Sequence, residues 1–229
     1  MRFDIITIFP QMLGSYLGES LLGRAQKNKL ISITMHNLRD GAKDKRLTVD
    51  DAPYGGGPGM VMMIEPIAKT LKKIKRRKKS KVILLDPAGK QFSQKIAADL
   101  SKLDQLIFIC GRYEGIDARV DKLADEKISI GPYVLSGGEL GAGVILEAVA
   151  RLIPGVLGNK QSLNEETFNY RPSKIGNKKS KVDTEYPQYT RPKIFIHTHG
   201  SKKKKLHVPK VLLNGNHKEI NKWRQKHSK

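Results

Sequence analysis

Apolar residues along the first two thirds of the chain fall into short runs that alternate with longer amphipathic stretches. The runs "FDIITIF", "LISITMH", "KVILLD" and "QLIFICG" are rich in β-branched residues and bounded by polar or glycine-containing breaks. They read as buried strands. Between them the apolar spacing predicts helices around 13–26, 65–74 and 93–103, and "GAGVILEAVARLI" predicts a fourth ending before Pro154. Alternation of this kind predicts an α/β fold, a mostly parallel sheet with helices on both faces, in which ligands bind beyond the carboxyl ends of the strands.

The pattern changes at residue 159. Residues 159–185 are polar and aperiodic and read as a flexible basic linker after a first domain at 1–158. Residues 186–229 read as a small, basic, helical domain for binding nucleic acid, in which Asn216 caps a helix carrying Ile220 and Trp223. Too small for an independent core, this tail is expected to pack on the first domain or on a partner subunit.

Charge sharpens that division. The chain of 229 residues carries a net +21, but 1–158 holds 25 basic against 17 acidic residues and 159–229 holds 18 against 5. The C-terminal third is therefore where a polyanion is expected, with nucleic acid the leading candidate. No run approaches the length of a membrane span and the N-terminus reads as a strand, so a cytoplasmic protein with no membrane partner is expected. Cys110 is the single cysteine, set in an apolar run, and is expected to serve packing alone.

Candidate chemistry lies in the glycines. Neither a P-loop nor a G-x-G-x-x-G following a strand is present, which removes the two common phosphate cradles. Three strand ends carry unusual residues instead: "LLDPAG", "CGRYEG" and "SIGPYVLSGGEL". Side by side, such loops would wall a pocket with backbone groups, suited to an adenine or ribose more than to a triphosphate. Glu114 stands out there as a carboxylate for a cation or a ribose hydroxyl, with a salt bridge to Arg112 or Arg119 as its plain alternative. A second cluster, "DDAPYGGGPGMVMM", makes a loop with little side-chain bulk, open to a flat base or a sugar-phosphate chain.

In order along the chain, "TVDDAPYGGGPGM", "CGRYEGID", "SIGPYVLSGGEL", "AVARLIPGVLG" and "YTRP" resemble the bacterial tRNA (guanine-N1-)-methyltransferase family TrmD, of the SPOUT superfamily. The likeness runs from Met1 to about Phe168 and resumes at "PQYTRP" and "LNGNHKEINKWR". It implies a trefoil knot in the first domain, a homodimer with active sites at the subunit interface, and transfer of a methyl group from S-adenosylmethionine to N1 of the guanine 3′ of the anticodon in tRNA, a modification that supports the reading frame. By the same likeness Leu85, Pro87, Gly111, Tyr113, Glu114, Ile130, Gly131, Pro132, Tyr133, Val134, Leu135, Gly137 and Gly138 would bind the cofactor.

The resemblance also implies two catalytic residues. Arg151 would stabilise charge on the base, its plain alternative being a cation at a helix C-terminus. The family's aspartate after "GVLG" is replaced here by "NEETF", which puts Glu166 in the place of the general base. Tyr54, Gly55, Gly56, Gly57, Pro58 and Gly59 would lie against the RNA, and Lys202, Lys203, Lys204 and Lys205 would grip it. Magnesium dependence is compatible with the family, yet no ligand spacing supports it and no metal residue is expected. Gly141 stands where relatives often have proline, which implies a looser first helical turn. Two rival readings are a methyltransferase of this superfamily acting on another RNA nucleoside, and a basic RNA-binding protein without catalysis.

Overall fold

The computed structural model describes residues 1–158, 186–200 and 202–228, and the chain divides into two compact units, Met1–Lys160 and Gln161–Lys229. The first is built on five parallel strands: β1 (Arg2–Thr7), β2 (Ser32–Asn37), β5 (Ser80–Gln91), β6 (Gln105–Cys110) and β7 (Glu126–Ser129), in the order β2-β1-β6-β5-β7. A short antiparallel pair, β3 (Asp50–Asp51) and β4 (Val61–Met62), lies outside that sheet. The register runs Phe3 opposite Ile33 and Leu106, and Val82 opposite Ile107. All six residues of β6, the middle strand, are buried.

Side-chain alternation sorts the core into two layers. Phe3, Ile5, Leu106, Phe108 and Ile83 face α1 (Gly14–Gly18), α2 (Ser20–Lys27), α4 (Gln94–Leu100) and α5 (Glu139–Ala150). Ile6, Val82, Leu84, Ile107 and Ile109 face α3 (Ile64–Lys73) and the short helical turns at Leu38–Gly41 and Ala118–Lys122. Each fully buried Phe or Ile contributes about 2 to 3 kcal/mol relative to exposure. The helices therefore cover both faces, as the alternation of strand and helix patterns predicts.

Three elements differ from expectation. The helix over 13–26 is two helices, because the chain is extended at Glu19 (φ −107°, ψ 170°) and turns left-handed at Ser20 (φ 50°), where the second helix starts. The strand beginning "KVILLD" does not end there. It bulges between Leu85 and Lys90 and pairs with β7 again at Lys90 and Gln91, so "DPAG" is an excursion within a 12-residue strand. The second unit is not simply helical. Lys202–Lys205 belong to a strand, in an antiparallel hairpin of β8 (Ile194–His199) and β9 (Lys202–His207). Beyond it lie a helical turn at Lys210–Leu213 and α6 (His217–His227), capped by the Asn216 side chain, which accepts from Lys218 N and Glu219 N. Trp223 stacks on His227 with centroids 4.2 Å apart and meets Tyr189 edge-on. The linker expected at 159–185 lies outside the described residues.

At the opposite end of the sheet from the strand-end loops, Asp4 is fully buried. Its carboxylate accepts from Arg2 at 2.6 Å and Gln105 Nε2 at 2.8 Å and lies 2.7 Å from His36 Nε2. Burial pushes the carboxyl up, but the bonds from His36, Gln105 and Arg2 together outweigh it and hold Asp4 below its ordinary value. A depressed carboxylate contributes stability that is complete above the unfolded pKa and is lost as pH falls through the folded one. Asp4→Asn is therefore expected to lower stability by about 2 to 3 kcal/mol at pH 7, with the gap narrowing below about pH 4. Urea denaturation across that range checks this; a gap that stays constant would refute it.

Candidate active site

The carboxyl ends of β5, β6 and β7 lie side by side, and the segments that leave them enclose one cavity of about 370 Å³. Its walls are the bulge of β5 from Leu85, the loop Gly111–Ile116 after β6, and the loop Ile130–Gly138 between β7 and α5. Gly138 N donates to Gly111 O at 3.0 Å, and Arg112 bridges to Gly137, which ties the last two walls together. A β-carbon on Gly138 would lie 2.9 Å from Cys110 Cα, so only glycine allows this approach of backbone to backbone. At Gly141 a β-carbon would meet Leu85 Cδ1 at 2.7 Å, and the missing side chain gives Leu85 its place on the wall.

Of the thirteen residues that the resemblance assigns to the cofactor, all but Pro132 line this cavity. Pro132 is exposed outside it. Tyr113 holds a left-handed backbone (φ 60°), a strained conformation for a bulky residue, at the turn where β6 meets its loop. The loop after β7 is braced from within, since the Ser129 hydroxyl donates to Gly131 O at 3.0 Å and Tyr133 OH donates to Ile130 O at 3.2 Å.

Beneath these walls runs a buried ionic link that the sequence reading missed. The Glu139 carboxylate, at the first turn of α5, is 1% exposed. It accepts the Thr7 hydroxyl at 2.6 Å and Arg112 Nε at 3.0 Å, with Arg112 Nη2 at 2.9 Å. The Arg112 guanidinium also lies 4.9 Å from the centroid of the Phe9 ring. The available signal was a glutamate in the glycine-rich first turn of a mostly apolar helix, "GGELGAGVILEAV". Because Arg112 pairs with Glu139 and Arg119 with Asp117, the ion-pair alternative for Glu114 does not hold. Glu114 is exposed and lines the cavity.

The second glycine cluster is the loop of the β3–β4 hairpin. Gly55, Gly56, Gly57 and Gly59 all have positive φ, and Tyr54 stands fully exposed at its tip. β4 is stitched to the cavity wall, with Met62 N donating to Gly115 O and Glu114 N to Met60 O. A β-carbon on Gly59 would meet Glu114 Cγ at 2.5 Å, so this loop rests on the Glu114 side chain. Pro58 and the glycines around it are exposed beside that contact.

Arg151 is not brought into the cavity. It caps the C-terminus of the 12-residue α5, about 18 Å along the axis from the helix start at the cavity. Leu140, Val144, Glu147 and Arg151 share one stripe of α5, and the Tyr16 hydroxyl bonds to Glu147 beside it. Glu166 lies outside the described residues, and Lys202–Lys205 belong to the other unit, where all four are exposed. Burial pushes the Cys110 thiol well above its ordinary range, which keeps it inert. Among the described residues no group of three His, Cys, Asp or Glu is placed to hold a metal ion, and no helix is long and apolar enough to cross a membrane.

The model of the family described as tRNA (Guanine-1)-methyltransferase TrmD matches residues 1–229. Among curated relatives, the tRNA (guanine-N(1)-)-methyltransferase of Dictyoglomus turgidum is 49% identical over 226 residues, covering 99% of this chain and 84% of its own. That of Geobacter sp. strain M21 is 48% identical over 228 residues, covering 99% and 84%. The enzyme of Enterococcus faecalis is 44% identical over 231 residues, covering 100% and 86%. With a match over its whole length and such relatives, the chain belongs to the tRNA (guanine-1)-methyltransferase TrmD family.

Proposed function

We propose that this protein transfers a methyl group from S-adenosylmethionine to N1 of the guanine 3′ of the anticodon in tRNA, as a cytoplasmic homodimer that supports the reading frame. The observation that carries this is the convergence of three strand-end loops on one cavity in a chain of this family. The lining suits the cofactor: Leu85, Ile130 and Leu135 for a flat base, glycine-lined backbone for close approach, and the carboxylates of Asp86, Glu114 and Asp121 for hydroxyl and ammonium groups. The knot implied by the resemblance is proposed to involve these same loops.

When bound, S-adenosylmethionine supplies an electrophilic methyl group on a sulfonium. The protein must then manage a proton, since guanine N1 is protonated at neutral pH. Glu166 takes it, and Arg151 stabilises the negative charge that develops on the exocyclic oxygen. Arg151 stands at the end of α5 remote from its own cavity, so it serves the partner's cavity across a dimer interface. Exposed Phe9, Met12, Tyr16, Leu140 and Val144 supply an apolar surface for that interface. The lean loop at 54–59 lies against the RNA, where a base turned out of its stack has room to enter.

Incubation of tRNA and ribosomal RNA with labelled cofactor, followed by digestion of each to nucleosides, is expected to place the label in 1-methylguanosine of the tRNA; label confined to ribosomal RNA would refute the reading. Glu166→Gln is expected to slow single-turnover methylation about 10²- to 10⁴-fold with cofactor affinity unchanged in calorimetry. Undiminished methylation would remove Glu166 as the base.

The shared site has its own test. Leu135→Arg puts a cation into a cavity proposed to hold a sulfonium, and Arg151→Ala removes the stabilising charge. Each variant alone is expected to be nearly inactive. If Arg151 serves the partner's cavity, random mixing of equal amounts restores about a quarter of wild-type activity, because half the dimers are mixed and each has one intact site. No recovery in a mixture verified to contain mixed dimers would place Arg151 at its own cavity.

A further inference from the structure

The hairpin of β8 and β9 has properties that a loop of lysines would not have. Its twelve strand residues are all exposed, and neither strand contains an acidic residue. Gly200 (φ 59°) opens the turn. An isolated two-stranded ribbon that buries nothing is marginal in water, and this one also concentrates like charge. His197 pairs with Lys204, His199 with Lys202, Ile196 with Lys205 and Thr198 with Lys203.

Because strand residues alternate, four consecutive lysines cannot share a face. Lys202 and Lys204 lie on one face with His197, His199 and Phe195, whose ring is 6.5 Å from that of His197. Lys203 and Lys205 lie on the other, with Thr198 and Ile196. The four lysines span about 10 Å near the tip, while Ile194, Phe195 and Leu206 form an exposed apolar root. A flat or one-sided anion meets only half of this charge. A partner that meets all of it must present negative charge on both sides of a ribbon one β-pair wide.

The geometry points to a base-paired RNA stem as that partner, with the tip of the hairpin lying between its two phosphate rows. Lysines on both faces would contact phosphates, and recognition would follow shape rather than sequence, because side chains cannot read the deep groove of an A-form helix. This rests on tRNA being the substrate and deepens that reading by naming the part of tRNA that the hairpin grips.

The test compares Lys202→Gln/Lys204→Gln, Lys203→Gln/Lys205→Gln and the quadruple variant with the wild-type protein. Binding is measured against tRNA, a stem-loop RNA and an unstructured single strand of equal length, from 50 to 300 mM salt. Each double variant is expected to reduce the slope of log affinity against log salt by about 1 to 2 for tRNA and stem-loop, with the quadruple near the sum. Losses on the single strand are expected to be smaller. If one pair is silent while the other carries the whole effect, contact is one-sided and the proposal is overturned. Equal losses on the single strand also overturn it. Wild-type protein that binds tRNA and leaves no 1-methylguanosine would refute the proposed function, while the comparison of the two faces would still be read from binding alone.

Discussion

The cavity depends on one buried negative charge. Glu139 sits where the last wall turns into α5, and its carboxylate is held by a hydroxyl from β1 and a guanidinium from the loop after β6. A carboxylate so enclosed is tolerated only with its partners in place, and removing one partner from such a pair typically costs about 3 to 5 kcal/mol. The link therefore ties β1 to two segments that lie more than a hundred residues further along the chain, each obliged to the others. Arg112 cannot turn outward to pair with Glu114, which leaves that carboxylate on the cavity lining. Glycine at 138 and 141 completes the constraint by letting backbone and Leu85 close on each other.

Much of this was legible in the sequence where local chemistry and the fold agree. β-Branched runs became the parallel strands because both sheet faces are covered, so the runs did not need to alternate with polar residues. Glycine-rich strand ends marked the cavity because close backbone approach excludes side chains. What could not be read depended on distant partners. The bulge in β5 is visible only through its second pairing with β7. The break at Glu19 and Ser20 follows Gly18, but the left-handed backbone falls on the serine and not on the glycine. Lys202–Lys205 concealed a strand because four lysines in a row show no period of two in polarity, although their side chains alternate between faces.

The two assigned catalytic residues show the same boundary from the functional side. Arg151 was named from a motif, and its place at the C-terminus of α5 also agrees with the plain alternative of a cation at a helix end. Its stripe also carries the exposed Leu140 and Val144, and both readings of Arg151 fit that placement. Glu166 rests on the motif alone. Sequence thus located the cavity from its backbone chemistry.

The bulge in β5 has a consequence of its own. A loop attached at its two hinges swings as a lid, but Asp86–Gly89 is flanked by ladder pairing to β7 on both sides. Its only soft motion is a bowing between fixed ends. That wall therefore shares the cooperativity of the central sheet, and a ligand settling against it would find it ordered already, with little conformational entropy left to lose. Selectivity at this wall would come from shape existing before the encounter.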